Sequence, residues 1–191
     1  PEIMAIVMLL AGPNNDPVKT FEDKIVWVKG MKGSERRLAF IRGDLNATRE
    51  NPAAYKKHVL PVIKKGDAYT WFHHGLLNVK TGNHDKDPNF EEPTFEALYE
   101  EMWLTAPSGD FYDAYKLVKS WRDALQKAFW VNAGNPNKQK LVDALDKMIK
   151  DPESVAAIEK KVGKYEWRTG AEGDAAVRTL KSFITPGALK T

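Results

Sequence analysis

Two short stretches of this chain bring together residues suited to holding a small anion. The first is Lys29-Gly30-Met31-Lys32-Gly33-Ser34. A glycine loop that leads from a strand into a helix presents unpaired backbone N–H groups and partial positive charge, and Ser34 stands at the expected N-cap with a hydroxyl to add. The second is Thr48-Arg49-Glu50-Asn51, at the mouth of the next helix. There Arg49 can grip a carboxylate with both arms of its guanidinium, while Glu50 neutralises it in the empty state. Each stretch also has a plainer reading, an ordinary capped turn for the first and a surface ion pair for the second. A third feature, His73-His74, closes a predicted strand. Adjacent strand residues point to opposite faces, so the pair cannot share one metal without a bend. His73 is the member expected to line the cleft, because it ends a strand on the same edge as the two helix openings. Its neighbour is expected to face solvent or to bond loop backbone. The expected ligand-binding set is therefore Lys29, Gly30, Gly33, Ser34, Thr48, Arg49, Asn51 and His73, with no metal and no cofactor.

Catalytic signatures are missing from the sequence. It has no nucleophile elbow, no His-Glu-x-x-His helix and no Walker loop, and Gly30-x-x-Gly33 alone is too common to mean dinucleotide binding. The absence of cysteine removes disulfides, thiolate metal sites and cysteine nucleophiles. With 42% hydrophobic and 29% charged residues the chain has the composition of a soluble globular protein. Its net charge of +3 is interleaved, as in Lys19, Glu22, Asp23 and Lys24, which argues against a nucleic-acid face. The longest apolar run, Ile3 to Ala11, is too short to span a bilayer and lacks the basic flank of a signal peptide. A chain that opens on Pro1 reads as processed or truncated, which is compatible with a cleaved export signal.

The elements that must position these residues follow from pattern and punctuation. Ile3 to Leu10 is continuously apolar and ends at Gly12-Pro13, which reads as a strand buried on both faces. Thr20 can cap a short helical turn, and Ile25 to Val28 reads as the next strand. A helix follows from Ser34 to Gly43, then a short strand over Leu45–Thr48. Asn51-Pro52 starts a further helix, and the same device recurs at Asn135-Pro136 and Asp151-Pro152. Ala68 to His73, rich in aromatic and β-branched residues, reads as another strand. Residues 75–93 are polar and broken by glycine and proline, as a crossover or hinge would be. Beyond them Tyr115, Val118, Trp121, Leu125 and Ala128 recur at helical spacing, as do Leu141, Leu145, Met148 and Ile149, and then Val155, Ile158 and Val162. Trp121 falls on the stripe expected to be core, Trp27 and Trp71 are expected to pack against helices, and Phe129 to Val131 reads as one more strand. The sum is an α/β chain with a helix-rich second half.

Taken together, these segments resemble the solute-binding receptors of tripartite tricarboxylate transporters. Trp27-Val28-Lys29-Gly30 stands for that family's Tyr-Lys-Gly-like turn, and Gly43-Asp44-Leu45 for its Gly-acidic-aliphatic lead into the next strand. Asp16 to Asp23, Glu92-Pro93-Thr94-Phe95, Phe129 to Pro136 and Lys150-Asp151-Pro152-Glu153 are similar to further family segments, in the same order. The family's first strand and glycine-rich loop have no counterpart, and Phe21-Glu22-Asp23 runs directly into Lys24-Ile25-Val26, so the chain reads as a fragmentary or internally shortened receptor. The resemblance implies a two-lobed, periplasmic-binding-protein-like fold of type II, the Venus-flytrap form. In it residues 1–24 are a partial segment of the first lobe, residues 25–75 an α/β ligand-binding lobe, and residues 76–191 the return crossover and C-terminal helices. It also implies an extracytoplasmic, periplasmic monomer that captures a small organic acid and hands it to membrane permease subunits. The alternative is a small α/β enzyme acting on an anionic metabolite.

Overall fold

A computed structural model of the chain describes residues 1–78, 80–125, 128–132, 134–162 and 167–190. It overturns the α/β expectation: the structure is 56% helix and only 3% strand, and among the described residues the one sheet has two strands, so this is not a two-lobed periplasmic-binding-protein fold. The helices in chain order are α1 (Glu2–Ala11), α2 (Pro17–Lys24), α3 (Gly33–Ile41) and α4 (Pro52–Ala54), the last passing through a π-helical turn, Tyr55–Val59, into α5 (Leu60–Lys64). After the hairpin β1 (Leu76–Leu77) and β2 (His84–Asp85) come α6 (Phe95–Trp103), α7 (Asp110–Leu125), α8 (Lys138–Lys150), α9 (Pro152–Val162) and α10 (Gly170–Leu180). Among the described residues no helix is long and apolar enough to cross a membrane.

The largest correction falls on the N-terminal run. Residues 2–11 form helix α1 and not a strand. An unbroken apolar run has no period that separates a buried strand from a buried helix. Here Ala, Met and Leu favour the helix and Glu2 sits at its positive end. Ala5, Met8 and Leu9 are buried against Phe95 and Tyr99 of α6 and Tyr115 of α7. Phe95 is the hub of this core, with ring centroids 4.8 Å from Tyr115 and 6.0 Å from both Tyr99 and Phe72. Gly12 ends α1 at φ 66°, and a Cβ there would stand 2.8 Å from the ring of Trp103, whose indole N–H donates to the Leu9 carbonyl. Glycine is required at that position by both conformation and space.

Helix starts follow the expected chemistry with local shifts. Asn51 caps α4 as the sequence predicts, its side chain accepting from the Ala54 N–H at 3.0 Å. Asp151 does the same before α9, accepting from Ser154 N–H at 2.9 Å. Gly43 ends α3 in the left-handed region at φ 82°. At α2 the cap is Asp16 and not Thr20, and α8 begins at Lys138, beyond the Asn135-Pro136 signal.

The remaining predicted strands are corrected as well. Residues 25–28, 45–48 and 129–131 belong to no strand, and residues 68–73 make a single parallel bridge, between His73 and Thr94. Valine and aromatic residues favour extended backbone, but a sheet also needs partners for every N–H and C=O. The sheet that does form lies inside the polar segment read as a crossover. Leu76 pairs with Asp85 and Leu77 with His84, and Gly75 at φ 69° lets the chain approach the Asp85 carbonyl where a Cβ would come within 2.5 Å.

On α7 the buried face is displaced from the expected stripe. Val118 and Trp121 are 44% and 43% exposed, while Lys119 and Ser120 are buried beside Tyr115. Trp27 and Trp71 are partly exposed, and the Trp71 ring meets Phe72 edge-on at 5.8 Å.

Candidate functional site

A connected set of guanidinium groups and carboxylates joins α1, α3, α7 and the loop before α4. On α3, Arg36 donates from Nε to the Thr48 hydroxyl at 3.0 Å and from Nη2 to the Arg49 carbonyl at 2.8 Å. The same Nη2 lies 3.5 Å from Glu50, and Arg37 closes on that carboxylate at 3.0 Å. The Glu50 side chain is only 7% exposed and is held by Arg36 and Arg37, so the expected neutralisation of Arg49 by Glu50 does not form. One residue earlier, Arg49 turns the other way and meets Glu2 of α1 at 3.2 Å. Arg122 of α7 holds the same carboxylate. Burial works to raise the Glu2 carboxyl, but the Arg122 hydrogen bond leads the opposing effects and draws it down to about 2. Glu2 is therefore ionised throughout the neutral range.

The charges do not cancel. Four guanidinium groups, on Arg36, Arg37, Arg49 and Arg122, face two carboxylates, Glu2 and Glu50. Arginine keeps its proton in any ordinary protein setting, so the excess is permanent. Arg36, Arg49 and Arg122 line an open cleft of about 2410 Å³, together with apolar side chains such as Ile6, Phe40 and Trp71. Asp67, Asp87, Asp123, Asp146 and Asp174 line the same cleft, so the excess is local to the guanidinium network, which is where an anion carrying more than one negative charge would be suited.

The expected ligand-binding residues divide into three groups. Thr48 and Arg49 enter the guanidinium network directly. Lys29, Gly30, Asn51 and His73 line the same cleft, although the Asn51 side chain is committed to capping α4. Gly33 and Ser34 open α3 but do not line the cleft, and Ser34 is exposed one residue past the start of the helix. Residue 32 is the N-cap in the structure, and its N–H donates to the Glu35 carboxylate at 2.9 Å.

Sequence reasoning missed Glu2, Arg36, Arg37 and Arg122. Glu2 stands just before the apolar run that opens at Ile3 and belongs to no motif, and the arginines sit on helix faces where charge ordinarily means solvent. The one available signal was Arg36-Arg37, a cationic pair one turn inside the very helix thought to open on a ligand.

The two histidines diverge, as adjacent residues on extended backbone should. His73 is buried, stacks on Phe90 at 5.3 Å and accepts the Gly75 N–H at Nδ1. His74 meets the Tyr115 hydroxyl at 2.9 Å, so it neither faces solvent nor bonds loop backbone. Burial pushes His74 down to about 3, and burial followed by the nearby Lys119 charge pushes His84 down to about 3. Both are neutral at pH 7. His84 in turn reaches the Ser120 hydroxyl at 3.3 Å, and buried Lys119 donates to the Gly75 carbonyl at 3.1 Å and to Asp123. This second polar cluster fastens the β1–β2 hairpin to α7, and its groups are already engaged with one another. Among the described residues no group of three or more His, Asp or Glu side chains is arranged to hold a metal ion.

No family model, curated protein or solved structure matches this chain. The reading of the site therefore rests on its own geometry.

Proposed function

We propose that this chain binds a small organic acid, of the dicarboxylate class, in the cleft beside Arg36, Arg49 and Arg122. The observation that carries the reading is the excess of guanidinium groups over carboxylates in a connected, partly buried network. Glu2 and Glu50 hold the arginines in place without neutralising them all, and a dicarboxylate would supply the missing charge through paired N–H donors. The resemblance to tripartite tricarboxylate receptors supports the same ligand class. As a receptor of that kind the chain would work as a monomer outside the cytoplasm and pass its acid to permease subunits. With the two-lobed architecture gone, lobe closure has no part in this mechanism, and capture rests on the arginine cluster alone.

A thermal-shift screen with monocarboxylates, dicarboxylates and tricarboxylates, each in millimolar excess and at matched ionic strength, tests the proposal. Ligand at about a hundred times its dissociation constant adds roughly 2.7 kcal/mol of stability. For a chain of this size that raises Tm by roughly 5 to 10 °C. Dicarboxylates should give the largest rise, and Arg49→Ala should cut it to about half or less. A flat response to every acid, from protein shown to be folded, would overturn the reading.

A further inference from the structure

Lys119 is a buried amine that anion capture leaves unused. It sits on α7 one turn before Arg122, and both side chains line the cleft together with Asp123. Lys119 is only 1% exposed, whereas the Arg122 and Asp123 side chains keep 24% and 19% of their surface. Its Nζ donates to the Gly75 carbonyl at 3.1 Å and to the Asp123 carboxylate. An ammonium has three hydrogens, so one of them finds no acceptor among the described residues. Burial leads the effects that lower the Lys119 amine, and burial likewise raises the Asp123 carboxyl. Both shifts favour passage of a proton from nitrogen to oxygen within the pair, which frees the lone pair of a nucleophile.

We propose that Lys119 condenses with the carbonyl group of a 2-oxo dicarboxylic acid, forming a reversible imine while Arg122 holds a carboxylate of the same molecule. The inference rests on the anion-binding reading and narrows its ligand class. The Nζ lone pair forms the C–N bond. The carbonyl oxygen leaves as water, taking two of the three protons held between Lys119 and Asp123. The third proton stays on the imine nitrogen, facing the Asp123 carboxylate, and no oxidant or reductant is consumed. A 2-oxo acid suits the pair because its carbonyl adjoins its carboxylate, within reach of two residues one helical turn apart.

The test is borohydride reduction of the full chain in the presence of 2-oxoglutarate, followed by peptide mapping. One adduct should appear, at Lys119, with the mass of one 2-oxoglutarate less one oxygen atom, since reduction fixes the imine as a secondary amine. Excess succinate, which has no carbonyl, should lower its yield by competing for the arginines. Lys119→Met should lose the adduct. Asp123→Asn keeps the amine but removes the acid, and should slow adduct formation about tenfold or more. Lys24, Lys29 and Lys138 line the same cleft and are exposed, so they serve as internal controls. Adducts spread over those lysines, a Lys119 adduct indifferent to succinate, an undiminished yield in Lys119→Met, or no adduct at all would each overturn the proposal. Mapping on the wild type decides the question even where a variant fails to fold. Succinate binding without an adduct would sink the covalent step and leave the anion reading standing, whereas a folded chain that takes neither acid fails both.

Discussion

The aromatic core and the aromatic cleft are built from the same kinds of residue and end in opposite states. In the core, Phe95 and Tyr115 are fully buried where α1, α6 and α7 meet. In the cleft, Tyr69, Phe129 and Trp130 stand largely in solvent, and Trp27 is about half exposed. The difference lies in the backbone beneath them. A helix satisfies its own N–H and C=O groups, so its side chains can be buried against any complementary face. An extended segment needs a neighbour for its backbone, and among the described residues those of the cleft have almost none. Hydrophobicity alone does not place a residue inside; the hydrogen-bonding state of the chain that carries it decides as well.

The sharpest way to break this comparison is to truncate one ring from each region. Phe95→Ala should cost about 3 to 5 kcal/mol, since it opens a cavity at the hub of the core. Trp130→Ala should change stability by no more than about 0.5 kcal/mol, as for a surface substitution. Urea denaturation of the two variants measures both. Comparable losses would mean that the cleft rings are packed in solution.

The next effect concerns the two polar networks. Glu50→Gln leaves Arg36 and Arg37 facing a neutral amide and should cost about 1 to 3 kcal/mol. The same change removes the internal competitor for those guanidinium groups, so affinity for a dicarboxylate should rise while stability falls. A denaturation curve and a binding isotherm on the one variant test both signs.

The hairpin cluster responds to pH instead. His74 and His84 have folded pKa values near 3 against an ordinary 6.5, so the unfolded chain takes up their protons first. Their contribution to stability is fully present above about pH 6.5 and is lost as pH falls towards 3. Glu2, depressed from 4.5 to about 2, adds a loss in the lower part of that range. The Tm of the wild type should therefore begin to drop below pH 6.5. In His74→Asn combined with His84→Asn the drop between pH 6.5 and 4.5 should shrink, leaving the share of His73, whose pKa burial also lowers.

What could be read from the chain depended on whether the signal was local. Asn51-Pro52 and Asp151-Pro152 mark helix starts because cap and helix are neighbours, and both were legible. The spacing of Leu141, Leu145 and Met148 announced α8 in the same way. The N-terminal run was misread because its apolar residues have no period; helix propensity favours the helix, and packing against Phe95 and Tyr115 buries it. The strands were misread because β-propensity reports a tendency to extend, whereas pairing depends on a partner elsewhere in the chain. The site was half visible. Arg49 and Thr48 were legible at a helix mouth, but Glu2 and Arg122 reach that mouth from 47 or more positions away, across a tertiary contact that no local pattern encodes.

The measurement that bears most directly on the central claim is isothermal titration of succinate into the wild type and Arg49→Ala at low and physiological ionic strength. Arg49 is half exposed, so its removal should leave the fold nearly intact. Loss of one charge-assisted contact, worth roughly 1.5 to 3 kcal/mol, should weaken binding about tenfold to a hundredfold. Binding by the wild type that weakens in this way, and with added salt, is the predicted result. Equal affinity in the two proteins, or no binding heat from a folded wild type, would contradict the account.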